Sequence, residues 1–133
     1  GGGGLLTACL NHYANQNVKV VGVEFEGAPA LTHSLLQGEL LTLTSITGKA
    51  EGLLVKQIGT KAFTKASMCN VETVLVTEKE METAIRLLWH HNRIRAEHAG
   101  AAALAAALKS TQPSTTAMAV ISGGNLILNT DAL

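Results

Sequence analysis

The sequence has little of what several classes of protein require. Its 133 residues include ten basic and ten acidic side chains, which give a formal net charge of zero at pH 7. Proteins that bind nucleic acids or anionic membranes carry an excess of positive charge, so neither partner is expected. No apolar run reaches the length of about eighteen residues that a membrane-spanning helix requires.

Aromatic residues and cysteines are also scarce. Only 3% of the residues are aromatic, which is low for a complete enzyme. The two cysteines, Cys9 and Cys69, stand far apart in apolar contexts. We expect buried free thiols in a reducing compartment rather than a disulfide or a metal-binding pair. No basic segment is followed by an apolar stretch and a cleavage site, so we expect a cytoplasmic protein without a secretory signal.

Apolar residues make up 47% of the chain, enough for one globular domain or a large piece of one. Segments with helical spacing alternate with short β-branched runs. This order predicts an α/β fold with a mainly parallel, twisted sheet and helices on both faces. Thr77 and Glu80 have the spacing of a capping box at one helix start. Predicted helices span residues 4–15, 29–37, 60–68, 77–89 and 99–109, and predicted strands span 18–24, 72–76 and 118–121, with a shorter one at 41–43.

Four consecutive glycines, residues 1–4, stand directly before the first predicted helix. Amides without neighbouring Cβ atoms can turn toward one anion, and the helix that follows adds its positive N-terminal end. This pattern is typical of a phosphate-binding cup, although a linker or the remnant of a tag has the same composition. The segment lacks the lysine of a P-loop, and Leu6 stands where a dinucleotide-binding loop has its third glycine.

Two further segments carry candidate site residues. Ser122 and Gly123 follow the predicted strand 118–121, where a parallel sheet holds its ligands, although a plain exit from a strand has the same sequence. Glu97 precedes the alanine-rich helix and is either an ordinary first-turn acid or a site carboxylate. Each of these interpretations is weak when taken singly.

Taken in order, these segments resemble one family. The sequence is similar to the second half of fold-type II pyridoxal-phosphate enzymes, in the branch of threonine dehydratase (threonine ammonia-lyase) and serine racemase. The resemblance covers almost the whole chain. The matching segments are the glycine cup, residues 21–24 with 26–30, residues 50–56 with Ile58 and Gly59, residues 96–104, and residues 121–125.

The resemblance implies a role for each candidate residue. The family activity is elimination of water from L-threonine or L-serine, which gives a 2-oxo acid and ammonia with pyridoxal 5'-phosphate as cofactor. Ser122 would bond the pyridine nitrogen, Glu97 would help to orient the ring, and Gly123 would let the chain approach it. The cofactor's phosphate would be held by Gly1, Gly2, Gly3, Gly4 and the amide of Leu5.

Three departures from the family qualify this implication. The lysine that forms the family's Schiff base, and the segment that binds the substrate carboxylate, are both missing. Members like serine racemase bind a cation through a glutamate, a carbonyl and an aspartate. Glu24 and the carbonyl of Ala28 match the first two, but Ala30 replaces the aspartate, so no metal is expected. His98 stands where the family usually has proline or glycine, and we expect an ordinary half-exposed residue there.

Residues 1–133 are therefore interpreted as one partial catalytic domain, its C-terminal half, with no regulatory domain. We expect the isolated chain to be inactive and the full-length enzyme to be a homo-oligomer that acts on a small amino acid. A non-catalytic fragment or pseudoenzyme that keeps only the phosphate cup, and an isomerase like serine racemase, stay open as alternatives. An unrelated nucleotide-binding α/β module is a further alternative that the missing fingerprints disfavour.

Overall fold

A computed structural model describes residues 1–110, 112 and 116–124. Helices alternate with strands over most of this length, as the sequence predicts. The elements in chain order are α1 (Gly4–His12), β1 (Val21–Phe25), α2 (Ala30–Gln37), a 3-10 turn (Glu51–Leu53), α3 (Thr60–Met68), β2 (Glu72–Val76), α4 (Glu78–Asn92) and α5 (His98–Ser110).

The described sheet consists of β1 and β2, which run parallel. Their register pairs Val21 with Glu72 and Phe25 with Val76. The β-branched composition of both strands suits a sheet covered on both sides. The parallel pairing confirms the predicted α/β class.

The two faces of β1 pack against different helices, because side chains alternate along a strand. Phe25 and Val23 belong to a core cluster shared with Val76 and with α4 and α5. Gly22 lies on the opposite face, next to Leu31 of α2. A second cluster on that side joins α1, α2 and α3. Helices therefore cover both faces of the sheet, as predicted.

The capping box at the start of α4 is present. The Thr77 hydroxyl accepts from the Glu80 amide at 3.1 Å, and the Glu80 carboxylate accepts from the Thr77 amide at 2.8 Å. Lys109, near the end of α5, bridges to the same carboxylate at 3.0 Å and donates to the Leu75 carbonyl at 3.2 Å. These bonds join the start of α4, the end of β2 and the end of α5.

The predicted strand at residues 118–121 is not found. The side chain of Met118 is 76% exposed, and residues 116–124 form neither helix nor strand. A β-branched run becomes a strand only where another strand satisfies its backbone. The residues that lie against the start of α5 are the following ones, Gly123 and Gly124. The shorter strand at 41–43 is absent as well. Among the described backbone hydrogen bonds, this segment takes part only in the one from the Leu43 amide to the Lys56 carbonyl, at 2.7 Å.

Two smaller expectations also need correction. Helix α1 ends at His12 rather than near Asn15. The Gln16 amide bonds to the Tyr13 carbonyl in a tighter turn, and the Gln16 side chain caps the His12 carbonyl. Cys69 is exposed at the turn after α3, although burial was expected, while Cys9 is half-buried. Among the described helices, each is too short or too polar to cross a membrane.

Candidate functional site

The four glycines form the entrance to α1. Gly3 is the residue before the helix and has φ 90°, a left-handed conformation that glycine adopts without strain. No side chain caps the helix start. The first-turn amides of α1 are therefore available to a ligand, and the helix dipole favours an anion at this position.

The cup has an open side and a filled side. A Cβ placed on Gly2 or Gly4 would meet no atom within 4 Å, so space is present next to both residues. A Cβ on Gly3 would overlap the Cβ of Ala62 and lie 3.0 Å from Cδ1 of Ile58. The glycines therefore line a hollow that is backed by the segment leading into α3. Such a cradle fits a phosphate group.

Glu97 and Gly123 lie together at the start of α5. The Glu97 amide donates to the Gly123 carbonyl at 3.2 Å. A Cβ on Gly123 would overlap the Glu97 carboxylate, so any larger residue there would displace this side chain from its observed position. Ser122 precedes Gly123 and is exposed. The structure thus brings three of the sequence-predicted site residues into one place.

Gly52 connects this place with the glycine cup. The Gly52 carbonyl oxygen would lie 2.7 Å from a Cβ on Gly1. On its other side, a Cβ on Gly52 would lie 2.9 Å from the Cβ of Ala99, two residues after Glu97. The cup, the 3-10 turn and the start of α5 therefore meet at one region.

Sequence reasoning assigned no site role to Gly52 or Gly59. The available signal is that both glycines fall in residues 50–59, a segment that matches the family. His98 is half-buried, close to the expectation. Its Nε2 atom is buried without a hydrogen-bond partner in the part of the chain that the structure describes.

Glu24 serves as a remote cap of α2. One carboxylate oxygen accepts from the Leu31 amide at 2.7 Å, and the other accepts from the amide and hydroxyl of Thr32 at 2.8 and 2.7 Å. The Ala28 carbonyl accepts from the Ala30 amide at 3.0 Å. These bonds use the two candidate metal ligands for helix capping. Within the described residues, no group of three or more histidine, cysteine, aspartate or glutamate side chains could hold a metal ion.

Comparison with known proteins identifies the family to which this arrangement belongs. A family model described as pyridoxal-phosphate dependent enzyme matches residues 1–123, from the glycine cup to the segment that meets Glu97. The chain belongs to this family. The predicted resemblance to fold-type II pyridoxal-phosphate enzymes is thereby confirmed.

Similar proteins include ammonia-lyases and racemases. An L-threonine ammonia-lyase of Geobacter sulfurreducens is 34% identical over 98% of this chain and 33% of its own length. A threonine deaminase of T.th. has a TM-score of 0.87 and 31% identity over 96% of this chain and 48% of its own. A serine racemase of Dictyostelium discoideum has a TM-score of 0.81 and 36% identity over 96% of this chain and 42% of its own. The chain spans about a third of the length of the threonine ammonia-lyase that it matches.

Proposed function

We propose that this chain provides the phosphate-binding half of a pyridoxal-phosphate-dependent ammonia-lyase that acts on L-threonine or L-serine. The observation that carries the proposal is the uncapped glycine cup at the start of α1, open on one side and joined through Gly52 to the start of α5. The similarity to threonine ammonia-lyases supports the choice of reaction.

Each site residue has a task in this proposal. The amides of the four cup glycines and of Leu5 bind the phosphate and anchor the cofactor at one end. The Ser122 hydroxyl hydrogen-bonds the pyridine nitrogen at the other end. Glu97 orients the ring from the start of α5, where its amide also fixes the Gly123 carbonyl.

The bound cofactor supplies an electron sink for the α-carbon of the substrate, which makes loss of the β-hydroxyl accessible. The net reaction converts L-threonine into 2-oxobutanoate and ammonia. A neutral hydroxyl at the pyridine nitrogen does not force that nitrogen to stay protonated, so Ser122 makes the ring a moderate sink. Moderate electron withdrawal suits β-elimination.

The first test compares two ligands that differ only in the phosphate. Titration of the 133-residue chain with pyridoxamine 5'-phosphate and with pyridoxamine, followed by amide NMR shifts, should give tighter binding of the phosphate ester. These amines avoid the aldehyde's reaction with surface lysines. Equal affinity for the two ligands would contradict the proposal.

A variant tests the role of Ser122. The change Ser122→Ala should weaken binding of both ligands by about threefold to tenfold, the effect of one lost hydrogen bond. Ser110→Ala, at the exposed end of α5, is the matched control and should bind as the wild type does. If both variants lose the same amount of ligand affinity, Ser122 does not bind the ligand.

The activity assay addresses the rest of the reaction. With pyridoxal 5'-phosphate and L-threonine, the chain alone should form no 2-oxobutanoate, because the family's lysine segment is missing from it. Product formation would show that one of the lysines in this sequence acts as the catalytic residue.

The racemase alternative is favoured by the likeness to the serine racemase of Dictyostelium discoideum. It shares the cofactor contacts and differs in the product. The test needs an enzyme in which the segment with the family's lysine is supplied to this chain. Pyruvate from L-serine would then support the lyase, and D-serine as the main product would support the isomerase.

A further inference from the structure

We propose that residues 50–59 are the rear wall of the phosphate cup and that Gly59 is a positioning residue for the Gly3 amide. The inference rests on the proposed function, and it assigns a role to a segment that the phosphate contacts leave unexplained. The wall acts on the cup through hydrogen bonds and close contacts rather than by touching the ligand.

Gly59 holds the peptide between Gly2 and Gly3. The Gly59 amide donates to the Gly2 carbonyl at 3.1 Å. In a planar trans peptide, the carbonyl and the following amide point in opposite directions. Because the Gly2 carbonyl is fixed toward the wall, the Gly3 amide is directed away from it, toward the open side of the cup.

Limited space favours glycine at residue 59. Its φ of −61° and ψ of 138° are accessible to every residue type, so backbone strain does not require glycine. A Cβ at this position would lie 3.1 Å from the Gly2 carbonyl oxygen, closer than an ordinary contact. A larger residue would push the carbonyl and turn the peptide that carries the Gly3 amide.

The other end of the wall is fixed at Gly52. The 3-10 turn is closed by a bond from the Leu53 amide to the Ala50 carbonyl at 2.7 Å, and Ala50 is 1% exposed. This anchored turn places the Gly52 carbonyl against Gly1.

The loop before the wall is tied to the ends of two other elements. The Thr47 amide donates to the Gly27 carbonyl, just after β1, at 3.1 Å. The Lys49 amide donates to the carboxylate of Glu78, the first residue of α4, at 2.7 Å. The rear wall is therefore a braced part of the domain, which suits a structure that must hold small groups in place.

Two variants test the inference on the 133-residue chain. Gly59→Ala should weaken pyridoxamine 5'-phosphate binding by about tenfold, since it misdirects one charge-assisted hydrogen bond. Binding of pyridoxamine should stay unchanged, because pyridoxamine carries no phosphate. Gly59→Pro matches the observed φ but removes the amide donor, and it should weaken phosphate binding at least as much. Met68→Ala, at the exposed far end of α3, is the control and should leave both affinities unchanged.

Each outcome decides something. Loss of phosphate preference in both Gly59 variants, with a changed Gly3 amide NMR shift and an unchanged circular dichroism spectrum, supports the inference. A wild-type chain that prefers the phosphate ester, together with Gly59 variants that keep this preference, overturns the inference alone. A wild-type chain without the preference overturns the proposed function and this inference together. Equal weakening of both ligands would show that Gly59 is merely structural, which also overturns it.

Discussion

At the scale of single residues, Gly100 shows how one contact can reverse the effect of helix propensity. It lies inside α5, where replacement of glycine by alanine normally stabilises a helix by about 0.5–1 kcal/mol. Here a Cβ would overlap the Gly123 carbonyl oxygen and lie 2.9 Å from its carbonyl carbon. The contact between α5 and residues 121–124 therefore depends on glycine.

We expect Gly100→Ala to lower the free energy of unfolding by about 1–3 kcal/mol, because overpacking outweighs the propensity gain. Urea unfolding measures the change. Gly4→Ala, where a Cβ meets no atom within 4 Å, is the matched control for stability and should be neutral or stabilising. Stabilisation by Gly100→Ala would show that the contact with Gly123 is absent in solution.

Glu24 is the second residue with a testable individual role. It is only 9% exposed, and its carboxylate accepts three hydrogen bonds from Leu31 and Thr32. Glu24→Gln replaces one acceptor oxygen by a donor that faces another donor. We expect a loss of about 2 kcal/mol in unfolding free energy. Glu26→Gln, two residues later and exposed, should change stability little, and equal effects from the two variants would contradict the capping role.

At the scale of elements, the start of α4 contains a titratable stabilising contact. The Thr77 amide lowers the pKa of Glu80 below its ordinary value of 4.5, and Lys109 lowers it further, while partial burial opposes both. Because the pKa of Glu80 is lower in the folded state than in the unfolded state, its ionised carboxylate stabilises the fold at pH values above the unfolded-state pKa. That stability is lost as the pH falls from 4.5 through the folded-state pKa.

We therefore expect the wild-type chain to lose more stability than Glu80→Gln as the pH falls through this range. At neutral pH, Glu80→Gln should already be destabilised by about 0.5–1 kcal/mol, a modest value because the side chain is one-third exposed. Urea unfolding at several pH values measures both effects. Glu82→Gln, on the same helix, is the control, and parallel pH profiles for wild type and Glu80→Gln would contradict the assignment.

At the scale of the whole molecule, apolar surface stays exposed on the described part of the chain. Leu36 is 78% exposed on α2 and lines a hollow with His33, Gln37 and Leu41. In the described sheet, each of the two strands has one unpaired edge. Exposed apolar groups and unpaired edges both favour association between chains.

We expect the 133-residue chain to self-associate as its concentration rises from about 1 to about 100 µM. Sedimentation velocity measures the apparent mass. Leu36→Lys should reduce the association, whereas Gln37→Lys, which adds the same charge at an adjacent exposed position, should reduce it less. A monomer at every concentration would contradict this expectation.

The sequence predicted most elements because their signals are local. Helix α3 was predicted with its observed ends, and the capping box at Thr77 is a pattern of neighbouring residues. Residues 118–121 show where local reasoning fails, since their β-branched run contains no information about which strand, if any, lies next to it. A strand exists only through its partner, whereas a helix satisfies its own backbone.

The sequence by itself determined the α/β class, the glycine cup at the start of α1 and the family resemblance, because composition, periodicity and motif order are properties of the chain. Only the tertiary structure decided that Gly52 joins the cup to the start of α5 and that the Gly59 amide holds the Gly2 carbonyl. These contacts join segments about fifty residues apart in the chain. The local order of polar and apolar residues does not predict how close such distant segments come in space. The same reason explains why Glu24, a candidate metal ligand by resemblance, is found capping α2.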